Sequence, residues 1–294
     1  MAMLAHDLKF GFRMLLKSPV VSAVAALSLA LGIAANAGMF ALLDGFLWNP
    51  LPWPDQAELV VLQEQRDGEA IELASGVSVA NYRDYIEASE SFESAFLYGV
   101  ELANLTGVEV PEQLQVVMAT PDIFEVLGVQ PALGRGFRPE EGAEGRGNLL
   151  VLTHGFWERR FLADRGVLGR TLMIDGTQYT IIGVMPQDFD LVPANVQAIR
   201  PTDYDAELEN RGNHGYLAFA RLRDGITPDQ AEAALAPVSQ RLAGEFPEAK
   251  RGWTLRITPM GDFFPGPTDK QMVIILTAVT LFGLLIACAN VANL

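Results

Sequence analysis

The stretch Tyr216–Thr258, YLAFARLRDGITPDQAEAALAPVSQRLAGEFPEAKRGWTLRIT, decides the fold class. Tyr216–Leu222 is apolar and strand-like. Thr227-Pro228-Asp229-Gln230 then reads as a capping box with proline in the first turn, since the Thr hydroxyl and the Gln amide can each satisfy a backbone group left open at a helix start. Ala231, Ala234, Leu235, Val238 and Leu242 follow at helical spacing as one apolar stripe. Trp253–Thr258 alternates as a strand. Together these make a β-α-β unit, and with it a mixed α/β (α+β) domain.

Working outward, Glu58–Gln63 and Gln113–Ala119 read as strands, and Ser78 caps a helix that runs to Ile86. Thr120 is placed at an N-cap with Pro121 in the first turn, leading through Ile123, Phe124, Val126 and Leu127 to a stop at Gly128. Arg170–Met185 predicts a hairpin turning at Asp175-Gly176, preceded by Leu149–Trp157 as a strand entering a helix. Pro139–Gly147, rich in glycine and acids, and the polar run Thr202–Asn213 mark the limits of a middle piece.

Further out the solvent changes. Ser18–Leu43 holds 26 residues without a charge, where about 20 helical residues span a bilayer core. Gln271–Leu294 is uncharged for 24 residues and stops inside its own apolar run, so the chain is expected to belong to a longer protein. A cleavable signal peptide ending at Ala35-Asn36-Ala37 is the rival for the first segment, but the apolar run continues to Leu43. Before it, Leu4, Leu8, Phe12, Leu15 and Leu16 share helical spacing while Lys9, Arg13 and Lys17 recur on another face. That pattern suits a helix lying on the lipid bilayer, the alternative being a helix packed on protein. Cations directly before the span place the N-terminus in the cytoplasm. Within the spans, Ala26, Ala30, Ala34 and Gly38 fall four apart, and Asn36, Asn290 and Asn293 add polar groups; all seven are helix-packing candidates, with a substrate path as the competing use. The layout is an interfacial helix at 1–17, a membrane helix at 18–47, an extracytoplasmic domain at 48–269 and a second membrane helix at 271–294. Within the domain, 48–138 and 213–265 flank an inserted smaller α/β piece at 139–212.

Composition agrees. The 294 residues carry 36 acids and 21 bases, a net charge of −15, and 50% are apolar. Residues 1–43 are net basic, so the acid excess belongs to the domain, which argues against nucleic acid as a partner. The single Cys288 excludes an internal disulfide, and His6, His154 and His214 lack zinc-site spacing. No P-loop, dinucleotide-binding or nucleophile-elbow motif occurs. Asp203-Tyr-Asp205-Ala-Glu207 begins like a calcium loop, yet Leu208 stands where glycine is needed. His154 reads as structural beside a helix start. The expectation is a chain without catalytic, cofactor or metal residues of its own; acidic patches that dock a basic partner are the competing use of the charge.

His6–Pro19 (HDLKFGFRMLLKSP), Ala30–Asn36 and Pro50-Leu51-Pro52-Trp53-Pro54 resemble the start of MacB/FtsX-like ABC transporter permeases, nearest to the acidobacterial-type duplicated orphan permeases. Leu127–Arg135, Val167–Arg170, Ile182–Pro186 and Leu285–Leu294 extend the resemblance over the whole chain. It implies a porter-like domain at 48–138 and 213–265 interrupted by the inserted subdomain, in an inner-membrane permease subunit used in export or efflux. It also implies that ATP is hydrolysed on a separate ABC ATPase subunit, with a permease dimer and a periplasmic adaptor as further partners. The alternative is a non-transporting membrane protein that recruits or regulates an envelope enzyme or lipoprotein.

Overall fold

A computed structural model describes residues 19–43, 53–66, 76–107, 111–142, 147–189, 191, 195–202, 204–265 and 267–292. The basic stripe Lys9, Arg13 and Lys17, together with His6, Asp203 and Asn293, lies outside the described residues. The chain divides into two units, a helix pair and a domain spanning Leu51–Phe264.

The elements in chain order are α1 (Pro19–Leu43), β1 (Leu59–Arg66), α2 (Val79–Ala88), β2 (Phe92–Thr106), β3 (Glu112–Ala119), α3 (Ile123–Val126), β4 (Leu133–Gly134) and β5 (Leu149–Leu152). They continue with α4 (His154–Phe161), β6 (Thr171–Ile174), β7 (Thr177–Val184), β8 (Ala198–Pro201), β9 (Leu217–Leu222), α5 (Pro228–Glu245), α6 (Pro247–Lys250), β10 (Trp253–Pro259), α7 (Met260–Phe263) and α8 (Pro267–Ala292). The helix pair is α1 and α8. Ser22–Ala41 and Lys270–Ala289 are long and apolar enough to cross a membrane, each helix reaching roughly 38 Å at 1.5 Å per residue.

In the domain, the strands pair in the order β10-β1-β9-β2-β3-β8-β5-β7-β4. β9 and β10 both run antiparallel to β1, so the predicted β-α-β unit is split by a third strand. β1 and β2 are likewise parallel across β9, with α2 as their crossover. These two interleaved units form the porter-like half. Its sheet is covered on both faces. Val60, Leu62, Leu97, Ala218 and Ala220 pack beneath α2 and α5, with Tyr85, Leu235 and Leu242. Leu59, Val61, Phe96, Tyr98 and Phe219 pack on the other face against α3 and α7.

The inserted segment shares this sheet. β2 is 15 residues long, and its far end pairs with β6 at Leu105↔Ile174, after which β6, β7, β5, β8 and β3 lead back to β2. Six strands therefore close on themselves as a small barrel. Its interior is filled by Leu105, Leu114, Val116, Leu150, Leu152, Ile174, Ile181 and Ala198. The boundary drawn at 139–212 thus crosses a structure built jointly, because β2 and β3 belong to both parts.

The local signals mostly act where they were read. Thr227 and Gln230 form both bonds of the capping box, Ser78 accepts from Asn81 N, and Asp175-Gly176 turn the β6–β7 hairpin with Gly176 at φ 80°. Two readings change. Thr120 is not the N-cap of α3: its hydroxyl accepts from Leu97 N across the sheet, and Asp122 occupies the cap position. On α5, Ala234 is exposed while Ser239 is buried, since that face meets a polar cluster as well as apolar residues.

Candidate functional site

Most of the porter-like core is apolar, and among the described residues a dense polar cluster stands out in it. β1 begins with Leu59-Val60-Val61-Leu62 and then places Glu64, completely buried, on the face beneath α2 and α5. α6 ends on Lys250, also completely buried, and its Nζ donates to Glu64 Oε1 and, at 2.6 Å, to Tyr85 Oη. Tyr85 donates to Glu64 Oε1 at 2.7 Å, and Asn81 Nδ2 donates to Oε2 at 2.9 Å. Arg211 bridges Asn81 Oδ1 at 2.9 Å and Asp84 at 2.6 Å. His214 stacks flat on Trp253, centroids 4.0 Å apart; its Nδ1 lies 2.8 Å from Glu64 Oε2 without hydrogen-bond alignment, and Nε2 has no partner among the described residues.

Burial alone would push the Glu64 carboxyl up. The His214 contact and the Lys250 charge, aided by the Lys250 and Tyr85 hydrogen bonds, bring it down to about 2. Burial, with the Glu64 charge beside it, raises the Tyr85 phenol above its ordinary range. The cluster therefore holds a permanent carboxylate in an enclosed place, tied to α2, α5, α6 and β10. Chemically it is a joint. Neither Glu64 nor Lys250 meets solvent.

The sequence candidates fall elsewhere. On α1, Asn36 Nδ2 donates to Gly32 O at 2.9 Å and crosses to Thr280 O of α8 at 3.0 Å. Gly32 is the close-approach residue, since an added Cβ would stand 3.0 Å from Leu284 Cδ1. Ala26, Ala30, Ala34 and Gly38 are exposed on this helix, and nothing lies within 4 Å of a Cβ at Gly38. Helical spacing shows which residues share a face; it does not show which face meets the neighbour. Asn290 lies in α8, with its side chain outside the description. Cys288 is exposed.

His154 opens α4 and meets Trp157 edge-on at 5.4 Å, beside an open cleft of about 320 Å³ shared with Arg159, Asn195 and Gln197. Thr153 stands at the N-cap of that helix without a side-chain cap bond, its hydroxyl turned toward Val196 O at 2.9 Å and Gln197 O at 3.2 Å. Of the calcium-like run, Asp205 pairs with Arg83 and Glu207 accepts from Asn213. Among the described residues no group of three His, Cys, Asp or Glu could hold a metal ion. Sequence reading missed Glu64 and Lys250. The one available signal was a carboxylate two residues after a four-residue apolar run, on the alternate face shared with Val60 and Leu62.

Residues 22–238 match the family model described as the MacB-like periplasmic core domain. Among solved structures, a domain of a protein assigned as a permease in Porphyromonas gingivalis superposes with a TM-score of 0.55 at 18% identity, covering 71% of this chain and 92% of that one. The periplasmic region of MacB from Actinobacillus actinomycetemcomitans superposes at 0.51 with 13% identity, covering 80% and 97%. At these identities the likeness is one of fold. No curated protein matches the chain.

Proposed function

The chain belongs to the family of the MacB-like periplasmic core domain, and from that premise we propose that it is the permease subunit of an ABC-type transport system, working in export. In this reading ATP is hydrolysed on a separate polypeptide, and the work reaches the domain through α1 and α8. The observation that supports it most is the layout. In chain order a periplasmic-type domain lies between two apolar helices, and the two strands nearest those helices in the chain, β1 and β10, pair side by side over Val60–Arg66. The basic residues Lys9, Arg13 and Lys17 support an inner-membrane location with the N-terminus in the cytoplasm.

The test is to isolate the full-length protein from its own membranes and identify what accompanies it, with a fluorescent label on the domain. An ABC ATPase should co-purify, and ATP should change the label's signal. A preparation that brings down an envelope hydrolase or lipoprotein instead, with no response to ATP, would establish the non-transporting alternative. Labelling of intact cells at a cysteine placed at Lys9 and not at Asp67 would overturn the orientation.

A further inference from the structure

β1 has a register problem that its apolar residues solve only at the ends of their run. Leu59, Val60, Val61 and Leu62 are all completely buried, alternating between two apolar cores. Register is strongly specified when one face of a strand is apolar and the other polar, because a slip by one residue exchanges the faces. Here a one-residue slip exchanges Leu and Val on one face, and at the end of the run it brings Gln63 into the buried site of Leu62 or Glu58 into that of Leu59. Within the run the exchange of Leu and Val distinguishes little, so hydrophobicity penalises a slip only where a flanking polar residue enters.

We infer that the buried Glu64–Lys250 pair is the register key of the sheet, selecting the single alignment of β1 against β10 in which both charges are matched. In the observed register Glu64 lies opposite Leu255. Lys250 cannot follow a moving strand, being enclosed at the end of α6 and bonded to Tyr85 of α2. A one-residue slip carries Glu64 to the opposite face, among Val61, Phe96 and Phe219. A two-residue slip keeps the face but moves the carboxylate by about 6.8 Å along the strand, out of reach of Nζ. Either slip leaves two buried charges unpaired, far less favourable than the apolar exchange. The open edge of β10 is held by a second carboxylate: Glu232 of α5 accepts from Ile257 N at 2.9 Å and from Arg256 at 2.9 Å. A slip therefore has to come from β1.

The test uses the full chain in detergent with Cys288→Ser and pairs of introduced cysteines. Gln65→Cys with Thr254→Cys reports the observed register, in which these residues are opposite. Gln65→Cys with Arg256→Cys reports a two-residue slip, and Arg66→Cys with Thr254→Cys a one-residue slip. With Glu64 and Lys250 in place, only the first pair should oxidise to a disulfide. Lys250→Met alone should lower the melting temperature by on the order of 10 °C. Adding Glu64→Leu should restore most of that loss while letting an off-register pair cross-link to at least a tenth of the yield of the first. Two results would overturn the inference. One is a double variant that melts like the original chain and still cross-links only at Gln65–Thr254. The other is a double variant no more stable than Lys250→Met, which would make the pair a stabiliser and not a key.

Discussion

The two ends of the sheet solve the same problem differently. At the barrel end, β6 and β7 are joined by a two-residue turn, alternate between barrel interior and solvent, and close onto β2 so that few edges remain. At the other end, β10 is an edge, β1 is apolar on both faces, and a buried ion pair joins residues 186 positions apart in sequence. The barrel is specified by local chemistry that forces each strand's partner. The porter-like end is specified by a long-range polar match set into largely apolar packing. Where alternation runs the length of a strand it specifies register by itself; where a short apolar run is buried on both faces, a charge pair adds a further distinction.

The largest effect that can break this contrast is loss of Lys250. Lys250→Met strands the Glu64 carboxylate and should destabilise the domain by about 3–5 kcal/mol in a denaturant titration, with hydrogen exchange rising first in β1 and β10. An unchanged midpoint would remove the joint from the account. Acid tests the same carboxylate without mutation. Its folded pKa lies below the ordinary 4.5, at about 2, so its contribution is complete above pH 4.5 and is lost as pH falls from there through about 2. Stability measured over that interval should drop less steeply for Glu64→Gln than for the original chain. An equal slope would show that other carboxylates govern acid unfolding.

In the barrel, Leu114→Ala removes a fully buried side chain and should cost about 3 kcal/mol through the cavity left behind. The contrast predicts that cross-linking in the β1–β10 register stays untouched by this change. The smallest effect is at the hairpin. Gly176 has φ 80° and open space around it, so Gly176→Ala should cost about 1 kcal/mol from backbone strain alone, read as a small shift in thermal midpoint. A loss several times larger would mean that the turn nucleates the barrel.

Legibility followed sequence distance. Capping at Ser78 and Thr227, the turn at Asp175-Gly176 and both apolar helices rest on interactions within a few residues, and all were readable. β2 was not. Phe92–Thr106 carries Glu101 at its centre and serves the porter-like cores with one half and the barrel with the other, so no single alternation runs through it. Glu101 makes sense only once Arg200 of β8 grips it with two hydrogen bonds of 2.7 and 3.1 Å. The burial of Ser239 on α5 likewise depends on a distant neighbour, Tyr85 of α2, whose Oη lies 3.4 Å from its Oγ.

By itself the sequence determined the alternation of strands and helices, the acidic domain between two apolar helices, and a family resemblance that the comparisons bear out. Those follow from periodicity, capping and charge, which act locally and leave marks a few residues apart. Only the tertiary structure decided that six strands close into a barrel, that Asn36 reaches Thr280, and that Glu64 meets Lys250. Each of these depends on which distant backbone lies alongside. A buried charge shows its purpose only when its partner has been brought to it.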